Sequence, residues 1–248
     1  MKNILITGAA KRIGRAIALD LAAQGWGVAV HYRSSQAEAE ALASEIRAKG
    51  GKACVVKADL AIEAETLALV PQAIKALGPL TALINNASIF ERDEVESVTR
   101  ASWDAHMEAN LRAPFVLIQE FAKQLPESEK GAVINLLDQR VWNLTPHFTS
   151  YTISKAGLWT ATQTLAMALA PHIRVNAIGP GPILPSPRQS ANEFSRQCAS
   201  TPLGHGAKPE EIAAAVRFLL DSPSVTGQMI AIDGGQHLSN PAAFTIVE

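Results

Sequence analysis

Short, nearly continuous apolar runs rich in β-branched residues alternate along this chain with alanine-rich segments of helical periodicity. The apolar runs cover residues 3–7, 27–31, 53–57, 80–85, 131–137, 173–178 and 228–232. Strands buried on both faces read this way, because neither face is left for polar side chains. Between them, residues 13–24, 36–49, 63–77, 99–125, 152–169 and 209–220 read as helices, the fourth broken near Pro114. Pro209 followed by Glu210 and Glu211 opens the last of these, since proline and acids suit a first helical turn. The alternation predicts an α/β fold, a doubly wound parallel sheet of about seven strands with helices on both faces. Ligands of such sheets bind beyond the carboxyl ends of the strands.

Neither a low-complexity linker nor an internal repeat divides the sequence, and 48% hydrophobic residues in 248 suffice for one core, so residues 1–248 read as a single domain. The formal net charge of −1, without a like-charge block, argues against a nucleic-acid partner. No apolar run reaches the roughly 18 to 20 residues of a membrane span. The first apolar stretch turns into a glycine loop rather than a secretory leader. Cys54 and Cys198 are the only cysteines, which fits a reducing cytoplasm, and the six histidines lack metal-binding spacing. The chain therefore reads as cytoplasmic, with no metal site and no membrane association.

The segment Ile4-Leu5-Ile6-Thr7-Gly8-Ala9-Ala10-Lys11-Arg12-Ile13-Gly14 is a strand, a tight turn and a helix start. Gly8 allows a backbone geometry that other residues resist, and Gly14 allows helix and strand to approach closely. The helix N-terminus then offers N–H groups and a positive dipole to a pyrophosphate. Arg12 stands where a third glycine often would, adding a cation that can reach phosphate or an electron-rich substrate edge. After the second strand, His31-Tyr32-Arg33-Ser34 holds no carboxylate for a free ribose 2′-hydroxyl. Arginine and hydroxyls suit a 2′-phosphate instead, so NADPH/NADP+ is the expected cofactor. Asp59, followed by Leu60, either accepts from the adenine amino group or caps the next helix. After the fourth strand, Asn86, with Ala87 and Ser88, can pin neighbouring backbone and cofactor, or forms an asparagine-rich turn.

Tyr151 and Lys155 are four residues apart on a predicted helix and share a face. A nearby ammonium favours phenolate, so Tyr151 is expected to titrate below its usual value of about 10 and to act as a proton donor. Asp138 lies thirteen positions upstream.

Thr7-Gly8 with Gly14, Asn85-Asn86-Ala87, Asn110, Tyr151-x3-Lys155, Pro180-Gly181, Val225-Thr226-Gly227-Gln228 and Asp233-Gly234-Gly235 occur in the order of the short-chain dehydrogenases/reductases, which the chain resembles over essentially its whole length. The resemblance implies a Rossmann fold, a nicotinamide cofactor held in part by Tyr151, Lys155, Pro180 and Gly181, and commonly a homotetramer. It also implies that Asn110, Tyr151 and Lys155 are catalytic, with Asn110 holding a water beside Lys155. The residues alone leave Asn110 open between a kinked-helix polar residue and a site residue. Arg12, His31-Tyr32-Arg33-Ser34, Asp138 in place of the common serine, Ser88 and Phe90 together look like the pteridine reductases and the related bacterial dihydromonapterin and dihydrofolate reductases. In that subgroup the residue matching Phe90 stacks on the pterin, and those matching Arg12 and Ser88 touch both cofactor and pterin.

The usual serine donates to a carbonyl oxygen as hydride attack makes it negative. An ionised Asp138 would repel that charge, so a C=N bond is the better substrate. Asp138 then holds the Tyr151 hydroxyl or accepts from a pterin N–H, or donates if protonated. The alternative has Asp138 facing solvent and Gln139 in the serine role. The expected substrate is a pterin or folate; the rival readings are a carbonyl or 3-oxoacyl reductase, and a non-catalytic NADP-binding sensor or scaffold. Residues 180–208, rich in prolines (Pro180, Pro182, Pro185, Pro187, Pro202), are long for a connection and read as a substrate lid. Trp26, Trp103, Trp142 and Trp159 read as packing residues and His147 as a surface turn.

Overall fold

The computed structural model describes residues 2–186 and 188–239; Pro187 lies outside them. Seven parallel strands form one sheet: β1 (Asn3–Ile6), β2 (Gly27–Tyr32), β3 (Ala53–Lys57), β4 (Ala82–Asn85), β5 (Gly131–Leu136), β6 (Ile173–Pro180) and β7 (Met229–Ile232). Their order is β3-β2-β1-β4-β5-β6-β7. The winding reverses between β1 and β4, and at such a switch point the loops beyond two neighbouring strands diverge and leave a crevice. The register Ile6↔Ile84 brings the glycine turn after β1 beside the Asn86 turn after β4.

Side chains alternate across the strands, as the twofold period requires. Ile4 and Ile6 pack with α1 (Arg12–Ala23), α2 (Gln36–Ala48) and α8 (Pro209–Asp221) on one face. Leu5 packs with α3 (Glu63–Leu77), α5 (Ala113–Gln124) and α6 (Thr149–Ala168) on the other. A buried polar chain locks α6 to the sheet: Asn85 Nδ2 donates to Asn135 Oδ1 at 2.8 Å, and Asn135 Nδ2 donates to Thr162 Oγ1 at 2.9 Å. Thr162 stands two helical turns beyond Lys155, so this chain fixes the rotation of the helix that carries both Tyr151 and Lys155.

The expected break near Pro114 is a π turn, Glu108–Arg112, joining α4 (Arg100–Met107) to α5. Pro114 has no N–H to offer the carbonyl of Asn110 four residues back, and the helix widens there instead of continuing. The 180–208 segment, expected as a substrate lid, holds α7 (Ala191–Ala199), opened by a capping box in which Ser190 and Glu193 exchange hydrogen bonds. Of the tryptophans expected to pack, Trp26 is buried and Trp142 meets Trp159 edge-on at 6.2 Å, whereas Trp103 is exposed. Among the described residues, no helix is long and apolar enough to cross a membrane, and no cluster of three or more metal-ligating side chains exists.

Candidate active site

Two cavities border the turn after β4, the first along Asn86–Ile89 and the second at Phe90. The first, about 370 Å³, is lined by Gly8, Arg12, Ile13, Gly14, His31, Arg33, Asp59, Leu60, Asn86, Ala87 and Ser88. Gly8 has φ +61°, and a Cβ on Gly14 would lie 2.4 Å from the Gly8 carbonyl oxygen, so both positions require glycine. Asn86 Nδ2 donates to the carbonyls of Thr7 (2.8 Å) and Gly8 (3.1 Å), and Thr7 Oγ1 accepts from the N–H groups of Asn86 and Ala87 at 2.9 Å each. The two turns are thereby fastened as one cradle. Helix α1 has no side-chain cap and no acid in its first turn, so its N-terminal N–H groups and positive dipole face this cleft uncompensated.

Several expected cofactor contacts are placed differently. His31 lines the cleft, but its Nδ1 accepts from Gly8 N–H at 3.0 Å and its Nε2 donates to the Ala58 carbonyl at 3.1 Å. Burial lowers its pKa from 6.5 to about 4, which keeps the ring neutral for this double role. It braces the turn. Tyr32 points into the apolar core, whereas Arg33 lines the cleft, exposed, with the exposed Ser34 following it. The physical reason is the strand's twofold alternation, which turns Tyr32 inward once Arg33 faces out. Asp59 Oδ1 accepts from Ala61 N–H at 3.0 Å, a turn rather than a helix cap, since α3 begins at Glu63.

The second cavity, about 330 Å³, is lined by Phe90, Asp138, Gln139, Arg140, Phe148, Tyr151 and residues 180–184, 186, 188, 189, 193, 194 and 197, which include Pro180 and Gly181. These last two therefore border this cavity rather than the glycine cleft. Tyr151 donates its hydroxyl hydrogen to Asp138 Oδ2 at 2.9 Å, and Asp138 Oδ1 accepts from Arg140 N–H at 2.8 Å. Asp138 thus faces Tyr151. Lys155, buried, donates to the Leu136 carbonyl at 2.7 Å, with its ammonium 5.9 Å from the centre of the Tyr151 ring. The expected lowering of the tyrosine pKa is overturned. Burial and the adjacent Asp138 carboxylate push Tyr151 well above its ordinary range, so it is held as a neutral hydroxyl. Burial instead lowers Lys155 from 10.5 to about 8, against the pull of Asp138.

Phe90 stacks on Phe148 with ring centres 4.5 Å apart and planes within 3°, and meets Tyr151 edge-on at 4.7 Å. Phe148 holds its ring there from a left-handed backbone, φ 58°. Arg12 is the other non-glycine residue at positive φ among those described, and a bulky residue keeps such a conformation only where its surroundings dictate it. Arg12 lines the first cleft, yet its guanidinium donates to the carbonyls of Leu184 (3.1 Å) and Pro185 (3.0 Å). It ties the covering segment to the glycine turn. On the other side, Arg188 pairs with Glu91 at 2.5 Å and donates to the Phe90 carbonyl at 2.7 Å.

Asn110 is fully buried. Its Oδ1 accepts from Ile89 N–H (2.8 Å) and Ser88 Oγ (3.1 Å), and its Nδ2 donates to the Ile89 carbonyl (2.9 Å) and Ser154 Oγ (3.1 Å). Its side chain braces the 88–89 turn against α6. Sequence reasoning did not single out Phe148, Arg188, Ser154, Ser150, His106 or Asp93. The i, i+4 spacing of His106 and Asn110 was the available signal for one of them. His147, as expected, is a surface residue, paired with Glu94 at 3.0 Å.

A profile of the enoyl-(acyl carrier protein) reductase family matches residues 8–237. The crystal structure of FolM alternative dihydrofolate reductase 1 from Brucella canis, complexed with NADP, superposes with a TM-score of 0.94 at 50% identity, covering 96% of this chain and 95% of that one. The corresponding Brucella suis structure in complex with NADP gives 0.91 at 48% identity, covering 96% of each chain. The 3-oxoacyl-[acyl-carrier-protein] reductase FabG of Staphylococcus aureus is 34% identical over 242 residues, spanning 96% of this chain and 98% of that protein. With the seven-stranded parallel sheet and the Tyr151–Lys155 pair at its carboxyl edge, the chain belongs to the short-chain dehydrogenase/reductase family of oxidoreductases.

Proposed function

We propose that this chain is an NADPH-dependent reductase that adds hydride to the C=N bond of a pterin- or folate-type substrate, with Tyr151 as proton donor. The observation that carries the reading is the 2.9 Å hydrogen bond from the Tyr151 hydroxyl to Asp138. An ionised carboxylate only accepts, so this position offers no second donor to a developing oxyanion. A heterocycle with both an imine nitrogen and a ring N–H matches the pair: the N–H donates to Asp138 while the nitrogen next to the reduced carbon takes the Tyr151 proton. The neutral Tyr151 hydroxyl still holds the proton it must deliver, and Lys155, four residues along the same face, is placed to restore it. Phe90, stacked on Phe148 and bordered by Arg188 at 5.6 Å, lines this cavity and supplies an aromatic surface for a planar ring.

The first cleft fits a phosphorylated dinucleotide. Its glycines leave room that a Cβ would fill, α1 presents an uncapped N-terminus, and Arg33 lies at its edge with no carboxylate among residues 31–35. Gly8, Gly14, Asn86 and the first turn of α1 would hold the pyrophosphate side, and Arg33 the 2′-phosphate. Bound there, a reduced nicotinamide supplies the hydride. The Brucella relatives, named as dihydrofolate reductases and complexed with NADP, support both halves of the reading. The FabG relative favours a 3-oxoacyl substrate instead, against which Asp138 weighs. The retained Tyr151, Lys155 and Asn110 speak against a non-catalytic sensor. On family resemblance the assembly is a homotetramer, which light scattering after size exclusion would measure.

The test is NADPH oxidation with dihydrobiopterin, dihydromonapterin, dihydrofolate and a panel of ketones. Turnover of a pterin or folate is expected. Brisk ketone reduction with no pterin turnover would overturn the substrate assignment.

A further inference from the structure

Phe90 sits between two neighbours whose backbones are both gripped from the α4–π-turn segment. Ile89 gives its N–H and its carbonyl to Asn110. Glu91 gives its N–H to His106 Nε2 at 3.2 Å. His106 and Asn110 are four residues apart and reach the same loop. From His106 a buried chain continues to the helix of the proton donor. His106 Nδ1 lies 2.7 Å from Ser150 Oγ, Ser150 Oγ donates to Asp93 Oδ2 at 2.5 Å, and Asp93 Oδ1 accepts from Ser150 N–H at 3.0 Å. The Asp93 carbonyl also accepts from Thr149 N–H at 3.1 Å. Asp93, His106 and Ser150 are 4%, 1% and 0% exposed.

The proton order along this chain follows from its ends. Glu91 N–H is a fixed donor, so His106 Nε2 must accept, and its Nδ1 carries the hydrogen. Nδ1–H then lies between Ser150 Oγ and the Ser102 carbonyl, one helical turn back at 3.0 Å, and the hydrogen of Ser150 Oγ goes to Asp93. The sequence is a relay of orientation, not of reaction, because no member touches the second cavity. Asp93 also does for α6 what its own N-cap residue, Phe148, cannot, since Phe148 offers no side-chain acceptor.

Resting on the proposed function, we propose that His106 and Asp93 are positioning residues that set Phe90 and Tyr151 at a fixed separation through Ser150, and so select a planar ring for reduction. Phe90 lies one residue from Glu91, and Tyr151 one residue from Ser150. The chain is therefore a buried polar connection between stacking wall and proton donor, parallel to the one that runs from Ile89 through Asn110 and Ser154 to the Tyr151 carbonyl.

The experiment compares His106→Leu, His106→Gln and Asp93→Asn. Leucine removes the ring's three polar contacts, with Glu91 N–H, Ser150 Oγ and the Ser102 carbonyl. Glutamine retains one acceptor and one donor. Asparagine keeps the shape of Asp93 but forces an N–H against either the hydroxyl or the N–H of Ser150, whichever way its amide is turned. Leu and Asn variants are expected to raise KM for the planar substrate about tenfold and lower kcat by a similar factor, the size of one lost hydrogen bond to a buried group. NADPH affinity, read by fluorescence quenching, stays within about twofold of wild type because the glycine cleft is untouched, and His106→Gln restores most of the loss. Amide hydrogen exchange is followed in the same proteins. Faster exchange in residues 88–94 and in 149–153 together is expected whatever substrate the enzyme prefers. Acceleration in one segment alone, or wild-type kinetics in folded His106→Leu, would overturn the coupling. If His106→Leu does not fold, Asp93→Asn gives the same readings. Absence of pterin turnover in the wild type would remove the proposed function, and the exchange data would still decide the coupling.

Discussion

Replacing Asp138 by serine converts the acceptor beside Tyr151 into a donor, and its consequence can be sized from the site geometry. Tyr151 Oη lies 2.9 Å from Asp138 Oδ2. A substrate oxygen accepting from Oη at ordinary hydrogen-bond length and angle would sit roughly 4.5 to 5 Å from that carboxylate oxygen. At an effective dielectric near 20, a full negative charge there is opposed by roughly 3.5 kcal/mol. That corresponds to between two and three decades in rate. Lys155 and Arg140, both cations near the site, and incomplete charge development shrink the figure, so a tenfold gain is the floor of the expectation. Serine still reaches Arg140 N–H as a cap, which keeps the local turn. The assay is steady-state NADPH oxidation by wild type and Asp138→Ser with acyclic ketones and a dihydropterin. Ketone kcat/KM is expected to rise at least tenfold while pterin turnover falls by a comparable factor. Unchanged pterin turnover, or no gain on any ketone, refutes the argument that this carboxylate selects C=N over C=O.

Lys155 at about 8 predicts that kcat falls as pH rises through that value, because only the ammonium can return a proton to Tyr151. Asp138 holds that charge in place, so in Asp138→Asn the alkaline limb moves to lower pH; a limb that stays put in pH–rate profiles would detach Lys155 from the proton path. His31 stays neutral in the fold down to about 4, whereas in the unfolded chain it protonates below 6.5. The unfolded state therefore binds the proton first, and the contribution of His31 is fully present above pH 6.5 and lost as pH falls to about 4. Urea unfolding between these limits should show roughly 3 kcal/mol of pH dependence that His31→Asn lacks; equal slopes in both proteins would contradict the burial argument. Arg33→Ala should lower the NADPH-over-NADH preference by about tenfold or more, the size of a charge-assisted hydrogen bond, and an unchanged ratio of kcat/KM values would reassign the 2′-phosphate contact.

The sheet was legible because strands buried on both faces leave an unbroken apolar signature, and the observed strands lie within two residues of their expected ends. The glycine turns were legible for a similar reason: a backbone approach as close as Gly14 to Gly8 admits one residue type. What periodicity cannot carry is the direction in which a polar group points after the chain has turned. His31 and Arg33 look equivalent in sequence and lie on the same side of the chain, yet one is a buried brace and the other an exposed cation, because His31 is still inside β2, paired with β3, whereas Arg33 lies beyond the end of the strand. Tyr151 shows the same limit in its electrostatics. Helical spacing brings Lys155 near, but burial and a carboxylate from another strand end outweigh it, and neither is local to the helix. Asp93, His106 and Ser150 lie up to 57 residues apart and carry no motif; only the fold brings them into one chain. The part of the site that sequence specifies locally is thus the cradle for the nucleotide. The part that chooses the substrate is assembled from strand ends and helix starts, where one carboxylate, Asp138, faces a tyrosine held neutral by the same burial that hides it.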